Sequence, residues 1–160
     1  MFLLYKLTDE AKESTIDFRP VRGSEHAAGY DLRACISTDI AILPSEVIKI
    51  PTGVKLDLLT MSLANGLTNQ ALFTGFIYPR SGLGTKGFTL ANTVGVIDAD
   101  YQGELIIMGF NRSEDIITIK AGDRIAQLVI TMAALPVLSL VEEFDSYTTR
   151  GEAGFGSTGL

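Results

Sequence analysis

The chain has a single cysteine, Cys35, and a single histidine, His26, in 160 residues. One cysteine closes no internal disulfide, and the two residues fall short of the four Cys or His ligands of a structural zinc site. The same scarcity removes most Ser-His and Cys-His nucleophile schemes. Cys35 reads as a small buried apolar residue, and His26 as a turn residue rather than a catalytic one. No apolar run approaches the roughly 20 residues that a membrane span needs. The opening Met1-Phe2-Leu3-Leu4 is too short for the core of an export signal, and Lys6 follows closely. The expectation is an intracellular, cytoplasmic protein without membrane contact. Positive charge is also scarce: the net charge is −6 and the pI is near 4.7. A duplex-binding protein carries a basic stripe, and none is visible, so nucleic acid is not an expected partner. Cations for an anionic ligand would have to be gathered locally against the overall field.

What is present is period-two patterning. Hydrophobic residues make up 46% and charged residues 20%, the balance of one globular domain. Val54, Leu56 and Leu58 alternate with Lys55 and Asp57, and Ile117 and Ile119 with Thr118 and Lys120. Glu104 to Phe110 and Ile125 to Met132 read as largely buried strands. Turn signals recur at Pro44-Ser45, Pro51-Thr52-Gly53, Asn111-Arg112-Ser113 and Ala121-Gly122-Asp123. Many short strands at such spacing predict an all-β sandwich or closed barrel. At most one short helix fits, within Thr60 to Gln70.

From Asp145 onward the composition changes. Tyr147 and Phe155 are the only large apolar side chains before the terminal leucine, and glycine stands at 151, 154, 156 and 159. Such a segment buries too little to offset its ordering entropy. It is either a frayed tail or an arm that orders on a ligand or a neighbouring subunit. Phe155 flanked by glycines suits the arm.

Two segments match G-x-G-x-x-G: Gly82, Gly84, Gly87 and Gly154, Gly156, Gly159. Neither sits between a strand and a helix, so neither is a dinucleotide fingerprint. Glycine still lets backbone N–H groups approach phosphate oxygens. Arg80, Ser81 and Lys86 accompany the first cluster, and Ser157 and Thr158 the second. Next, Val94 and Val96-Ile97 suggest a strand running into a turn at Asp98 to Gly103. By composition Asp98 and Asp100 are turn residues. Either becomes a candidate base only if it faces a cavity.

Five segments then carry a family resemblance over nearly the whole chain. They are Ala28-Gly29-Tyr30-Asp31-Leu32, Pro79-Arg80-Ser81-Gly82-Leu83, Gly95 to Gly103, Gly122-Asp123-Arg124-Ile125-Ala126-Gln127, and Arg150 to Gly159. Together they resemble the five ordered motifs of trimeric dUTPases. One would be weak; five in order are very specific. The resemblance implies a jelly-roll-type β-barrel over 1–144, a flexible arm over 145–160, and a homotrimer with three shared active sites.

It also implies roles. Asp98 would orient and deprotonate the water that attacks the α-phosphorus of dUTP in line, giving dUMP and pyrophosphate. Tyr101 would stack on the deoxyribose and leave no space for a 2′-hydroxyl. Asn92 and nearby backbone of the same hairpin, Gly95 included, would read the uracil edge. A closed pocket would exclude the thymine methyl, and fixed hydrogen bonds would reject cytosine. Arg80, Ser81, Gly82 and Gln127 would contact the phosphate chain. Asp31 would lie near Mg²⁺ and its waters. Arg150 would reach the γ-phosphate. Phe155 would close over the uracil, with Gly156, Ser157 and Thr158 on the phosphates.

Three departures stand out. Ala153 replaces a usual glycine of the last motif, Gly84 a common alanine of the second, and the link from Leu59 to Ala71 is longer than usual, predicting a surface excursion. Two other readings compete. A dCTP deaminase shares the fold, but Met108 falls where that relative keeps its water-activating glutamate. A non-enzymatic binding module would not need Asp98, Tyr101 and the full arm.

Overall fold

The computed structural model describes residues 2–68 and 70–154. Among them the chain forms eleven strands and three short helices. The alternating segments become strands because a strand puts successive side chains on opposite faces, and here one face meets a core. Ile117–Ile119 (β10) shows this in three residues: both isoleucines are buried and Thr118 is exposed.

Three sheets close around that core. In the first, Leu4–Leu7 (β1), Val47–Asp57 (β5), Glu104–Asn111 (β9) and Phe88–Leu90 (β7) pair in that order. In the second, Val21–Arg22 (β2), Gly29–Arg33 (β3), Arg124–Ala134 (β11), Ala71–Pro79 (β6) and Gly95–Ile97 (β8) pair in that order. Ile40–Ile42 (β4) pairs with β10 as a two-stranded third. All the pairings are antiparallel, as in a jelly-roll-type barrel. Leu32, Ile42, Ile50, Phe88, Leu105, Ile107, Ile125 and Leu128 fill the interior from these sheets. Among the described residues no helix is long and apolar enough to cross a membrane.

Four local expectations need correction. Pro51-Thr52-Gly53 does not end a strand but lies inside β5 as a bulge, with the register to β9 shifting between Pro51 and Lys55. Gly53 takes φ +72° there, and a Cβ on it would lie 2.5 Å from that of Ala11. Second, β9 and β11 are not buried throughout. Ile106 is exposed between buried Leu105 and Ile107, and Thr131 and Met132 are both exposed towards the end of β11.

Third, the helix starts earlier than expected and ends earlier. It runs Leu58–Ala64 (α2), with the Asp57 carboxylate accepting from the Thr60 N–H at 2.9 Å. Asn65 and Gly66, the latter at φ +73°, terminate it. Two further helices, Asp9–Glu13 (α1) and Ser81–Gly84 (α3), are too short for periodicity to reveal. Fourth, the excursion after Leu59 is only partly a surface feature. Leu58, Met61 and Ser62 are buried, and the Ser62 hydroxyl donates to Leu58 O while accepting from the Phe73 N–H.

His26 sits in an exposed turn between β2 and β3, as expected. Cys35 is half-buried rather than buried, and burial pushes its thiol pKa up. Just past β11 the Leu135 N–H donates to the carbonyl of Gln70, in the turn before β6. Beyond it Val137, Leu138, Leu140, Phe144 and Tyr147 stand almost fully exposed.

Candidate active site

The register of three adjacent strands assembles one cluster. Asp31 on β3 is opposite Gln127 on β11, which is opposite Tyr78 on β6. Directly paired residues share a face, so the first and fourth motifs meet beside the start of the second. Arg80 leaves the end of β6 and caps α3. Its Nε donates to Asp31 Oδ1 at 2.7 Å. Arg124 Nη1 donates to Asp31 Oδ2 at 3.1 Å. The Asp31 side chain is 10% exposed, so both its oxygens need partners, and the two arginines provide them. Gln127 Nε2 donates to Pro79 O at 3.3 Å, which fixes its amide beside the same end. A Cβ on Gly29 would stand about 3.0 Å from Gln127 Oε1, so Gly29 and Gln127 pack closely.

Ser81 and Gly82 follow Arg80 and are exposed. A Cβ at Gly82 or Gly84 would meet nothing within 4 Å. At Gly82 a side chain would stand in open space. At Gly84 the alanine common in the motif would fit equally, so that departure changes little.

The segment expected as a hairpin is β8 with the turns on either side of it, and the second of these turns leads into β9, which lies in the other sheet and does not pair with β8. The Tyr101 N–H donates to Asp98 O at 3.1 Å and closes the turn. Asp98 is exposed, and Tyr101 is half-exposed. The Tyr101 hydroxyl donates to Glu104 O at 2.9 Å, laying the ring across Gly103. Any Cβ at Gly103 would overlap that ring. Gly95 is buried against Ile77. Asn92 is exposed before Thr93, which takes φ +65°. The buried Thr74 hydroxyl donates to Ile97 O at 2.7 Å, one residue before Asp98.

Asp98 and Arg80 do not meet within one chain, although Gly95 pairs with Ile77, two residues before Pro79. Ile97 pairs with Gly75, and Asp98 continues away from Arg80. Gly75 and Pro79 are four residues apart, roughly 13 Å at about 3.3 Å per residue. Arg150 joins neither Arg80 nor Asp98: its Nε donates to Ala153 O, inside a turn containing Gly151 at φ +51°. Phe155, Gly156, Ser157 and Thr158 lie outside the described residues. The expectations had omitted Arg124 and Thr74. Arg124 could have been found, since it stands in the fourth motif beside Gln127. A threonine within a strand gives no such signal.

Among the described residues no three His, Cys, Asp or Glu side chains gather as metal ligands. A cleft of about 480 Å³ is lined by Leu4, Tyr5, Lys6, Lys55, Leu56, Asp57 and Gln102, and holds none of the expected site residues.

With this geometry in place, comparison with known proteins is decisive. The sequence pattern of the dUTPase family matches residues 18–159. The chain belongs to the dUTPase family. Among relatives of that family, the deoxyuridine 5′-triphosphate nucleotidohydrolase of Hydrogenovibrio crunogenus is 44% identical over 160 residues, covering 99% of this chain and 97% of its own. The Escherichia coli protein of the same name is 41% identical over 141 residues, covering 88% and 86%. A variant of the dUTPase of Staphylococcus bacteriophage 80alpha, solved with dUpNHpp, superposes with a TM-score of 0.79 at 28% identity over 99% of both chains. Membership over this length makes the chain a dUTP diphosphatase of the jelly-roll dUTPase fold.

Proposed function

We propose that the chain hydrolyses dUTP by in-line attack of an Asp98-activated water on the α-phosphorus, at sites that each draw on more than one subunit of a homotrimer. The observation that carries this reading is the separation of Asp98 from Arg80 along β6. Asp31, Arg80, Ser81, Gly82 and Gln127 would form a phosphate-binding surface, while Asn92, Gly95, Asp98 and Tyr101 would bind the nucleoside and the water. Asp98 lies away from that surface in its own chain, and a second copy of the chain could bring its Asp98 to it.

In the reaction Asp98 takes a proton from water as the new O–P bond forms. The bond from the α-phosphorus to the bridging oxygen breaks, and pyrophosphate leaves. An ordinary exposed carboxylate suffices when the water is held and polarised. Arg80, the Ser81 and Gly82 backbone and Gln127 would hold the phosphates in line. Arg150 and the arm through Phe155, Gly156, Ser157 and Thr158 would close over the bound nucleotide, with 1–144 as barrel and 145–160 as arm. Tyr101 would exclude the ribonucleotide.

Magnesium fits this surface in one way. Asp31 has both oxygens on guanidinium groups, so it suits hydrogen bonding to a metal's waters rather than direct ligation. The inner sphere would be triphosphate oxygens and waters, which magnesium accepts. Bound there, it would neutralise phosphate charge and ease departure of pyrophosphate.

The test is product analysis with Mg²⁺. Incubation with dUTP should release pyrophosphate and dUMP, and incubation with dCTP should release no ammonia. Ammonia from dCTP would move the chain to the deaminase reading.

A further inference from the structure

Asp31 is shared by two arginines, and the sharing is unequal. Arg80 reaches Oδ1 through Nε at 2.7 Å, while Arg124 occupies Oδ2 through Nη1 at 3.1 Å. An arginine beside an unshared carboxylate closes a two-pronged fork. This chain contains that case. Arg19 takes Asp17 with Nε at 2.9 and 3.1 Å and Nη2 at 2.7 Å, and the pairing pulls the Asp17 pKa down to about 2. Arg80 closes no such fork on Asp31. Arg19 and Asp17 are exposed neighbours two residues apart, whereas Asp31 is buried and has a third partner on Oδ2.

A guanidinium carries five N–H donors, one of them on Nε. With Arg80 tethered by Nε alone, the four donors on its two Nη nitrogens are not spent on Asp31. A closed fork would spend one of them on the carboxylate and turn the group's edge towards Asp31. The trio also carries one net positive charge in a protein of net charge −6, which suits an anion.

We infer that Arg124 is a positioning residue for phosphate recognition: by holding Asp31 Oδ2 it prevents Asp31 from capturing Arg80 in a fork and keeps the Nη edge of Arg80 presented to the phosphate chain. This rests on the reading of Arg80 as a phosphate contact. Arg124 acts through Asp31, so its removal should resemble a partial loss of Arg80.

The experiment uses the full chain with Mg²⁺ and two competitive probes of dUTP hydrolysis. Inorganic pyrophosphate reports on the phosphate surface, and deoxyuridine, which has no phosphate, reports on the segment around β8. The Arg124 side chain is 47% exposed, so its replacement opens no core. In Arg124→Met the Ki of pyrophosphate should rise about tenfold, the scale of one charge-assisted hydrogen bond, while the Ki of deoxyuridine stays within about twofold. A purely structural lesion would move both. Arg124→Lys, which can still donate to Oδ2, should recover most of the loss. Arg124→Ser, too short to reach Oδ2, serves if the Met variant does not fold.

The cycle is completed with Arg80→Met and the double variant. If Arg124 acts only through Arg80, the double variant binds pyrophosphate no worse than Arg80→Met. Additive losses would overturn the inference, since Arg124 would then touch the anion itself. Wild-type pyrophosphate binding in Arg124→Met, with binding lost in Arg80→Met, would overturn it while leaving Arg80 as a phosphate contact. Wild-type binding in Arg80→Met would overturn both.

Discussion

At the scale of single residues, Asp98 and Tyr101 divide the work proposed for the segment around β8. Asp98 is exposed and ends no hydrogen-bonded ladder, as a base that must meet a water requires. Asp98→Asn keeps the shape but cannot accept the proton. Its kcat should fall about 10²–10⁴-fold, the usual range for loss of a general base, with dUTP binding retained. A variant keeping more than half the wild-type kcat would remove Asp98 from that role. Tyr101 tests a different property. Its ring is held over Gly103 by the bond to Glu104 O, so Tyr101→Ala should open the space next to the sugar. The ratio of kcat/KM for UTP to that for dUTP should rise; an unchanged ratio would place sugar discrimination elsewhere.

At the scale of elements, the short β8 is the part that delivers Asp98, and its last ladder pair is Gly75 with Ile97. The Thr74 hydroxyl extends that grip by one bond, to Ile97 O. Thr74→Val should leave this carbonyl without its partner and cost about 1–3 kcal/mol of stability, read by denaturant unfolding. Thr74→Ser should cost less than half as much. Equal stability of Thr74→Val and wild type would show the bond to be dispensable. This grip marks the boundary of what the sequence discloses. The alternation of Ile117 and Ile119 was legible because one face of a strand meets the core. The motif residues Asp31, Arg80 and Gln127 were legible as a set. The pairing of Asp31 with Arg124 was not, because it depends on how β3 and β11, strands distant in sequence, are aligned. Pro51 to Gly53 misled for a related reason: the residues that end strands also build bulges within them. Leu58 to Ala64 was blurred because its buried face spans only two turns.

For the whole molecule, the proposed sharing of sites makes a prediction about mixtures. Two inactive proteins suffice: Asp98→Asn, and a truncation ending at Ser146 that lacks Arg150 and Phe155. Refolded together at equal amounts, their chains should mix in closed trimers. A working site then needs its Asp98 from a truncated chain and its arm from an Asp98→Asn chain. Random assembly meets each condition about half the time, so about a quarter of sites should work. Activity should appear only after mixing. Mixed trimers of confirmed mass without activity would mean that Asp98 and arm come from one chain.

The uncovered stretch after β11 has a further consequence. Val137, Leu138 and Leu140 are each more than nine-tenths exposed in the single chain. Water is a poor solvent for such a row, so the isolated chain carries a free-energy penalty that a covering partner would lift. In the trimer proposed above, concentration becomes a variable of stability. Dilution would then act on this protein as added denaturant acts on a monomer, lowering the melting temperature with no change of buffer. A melting temperature constant across a hundredfold range of protein concentration would show that the row finds its cover within its own chain.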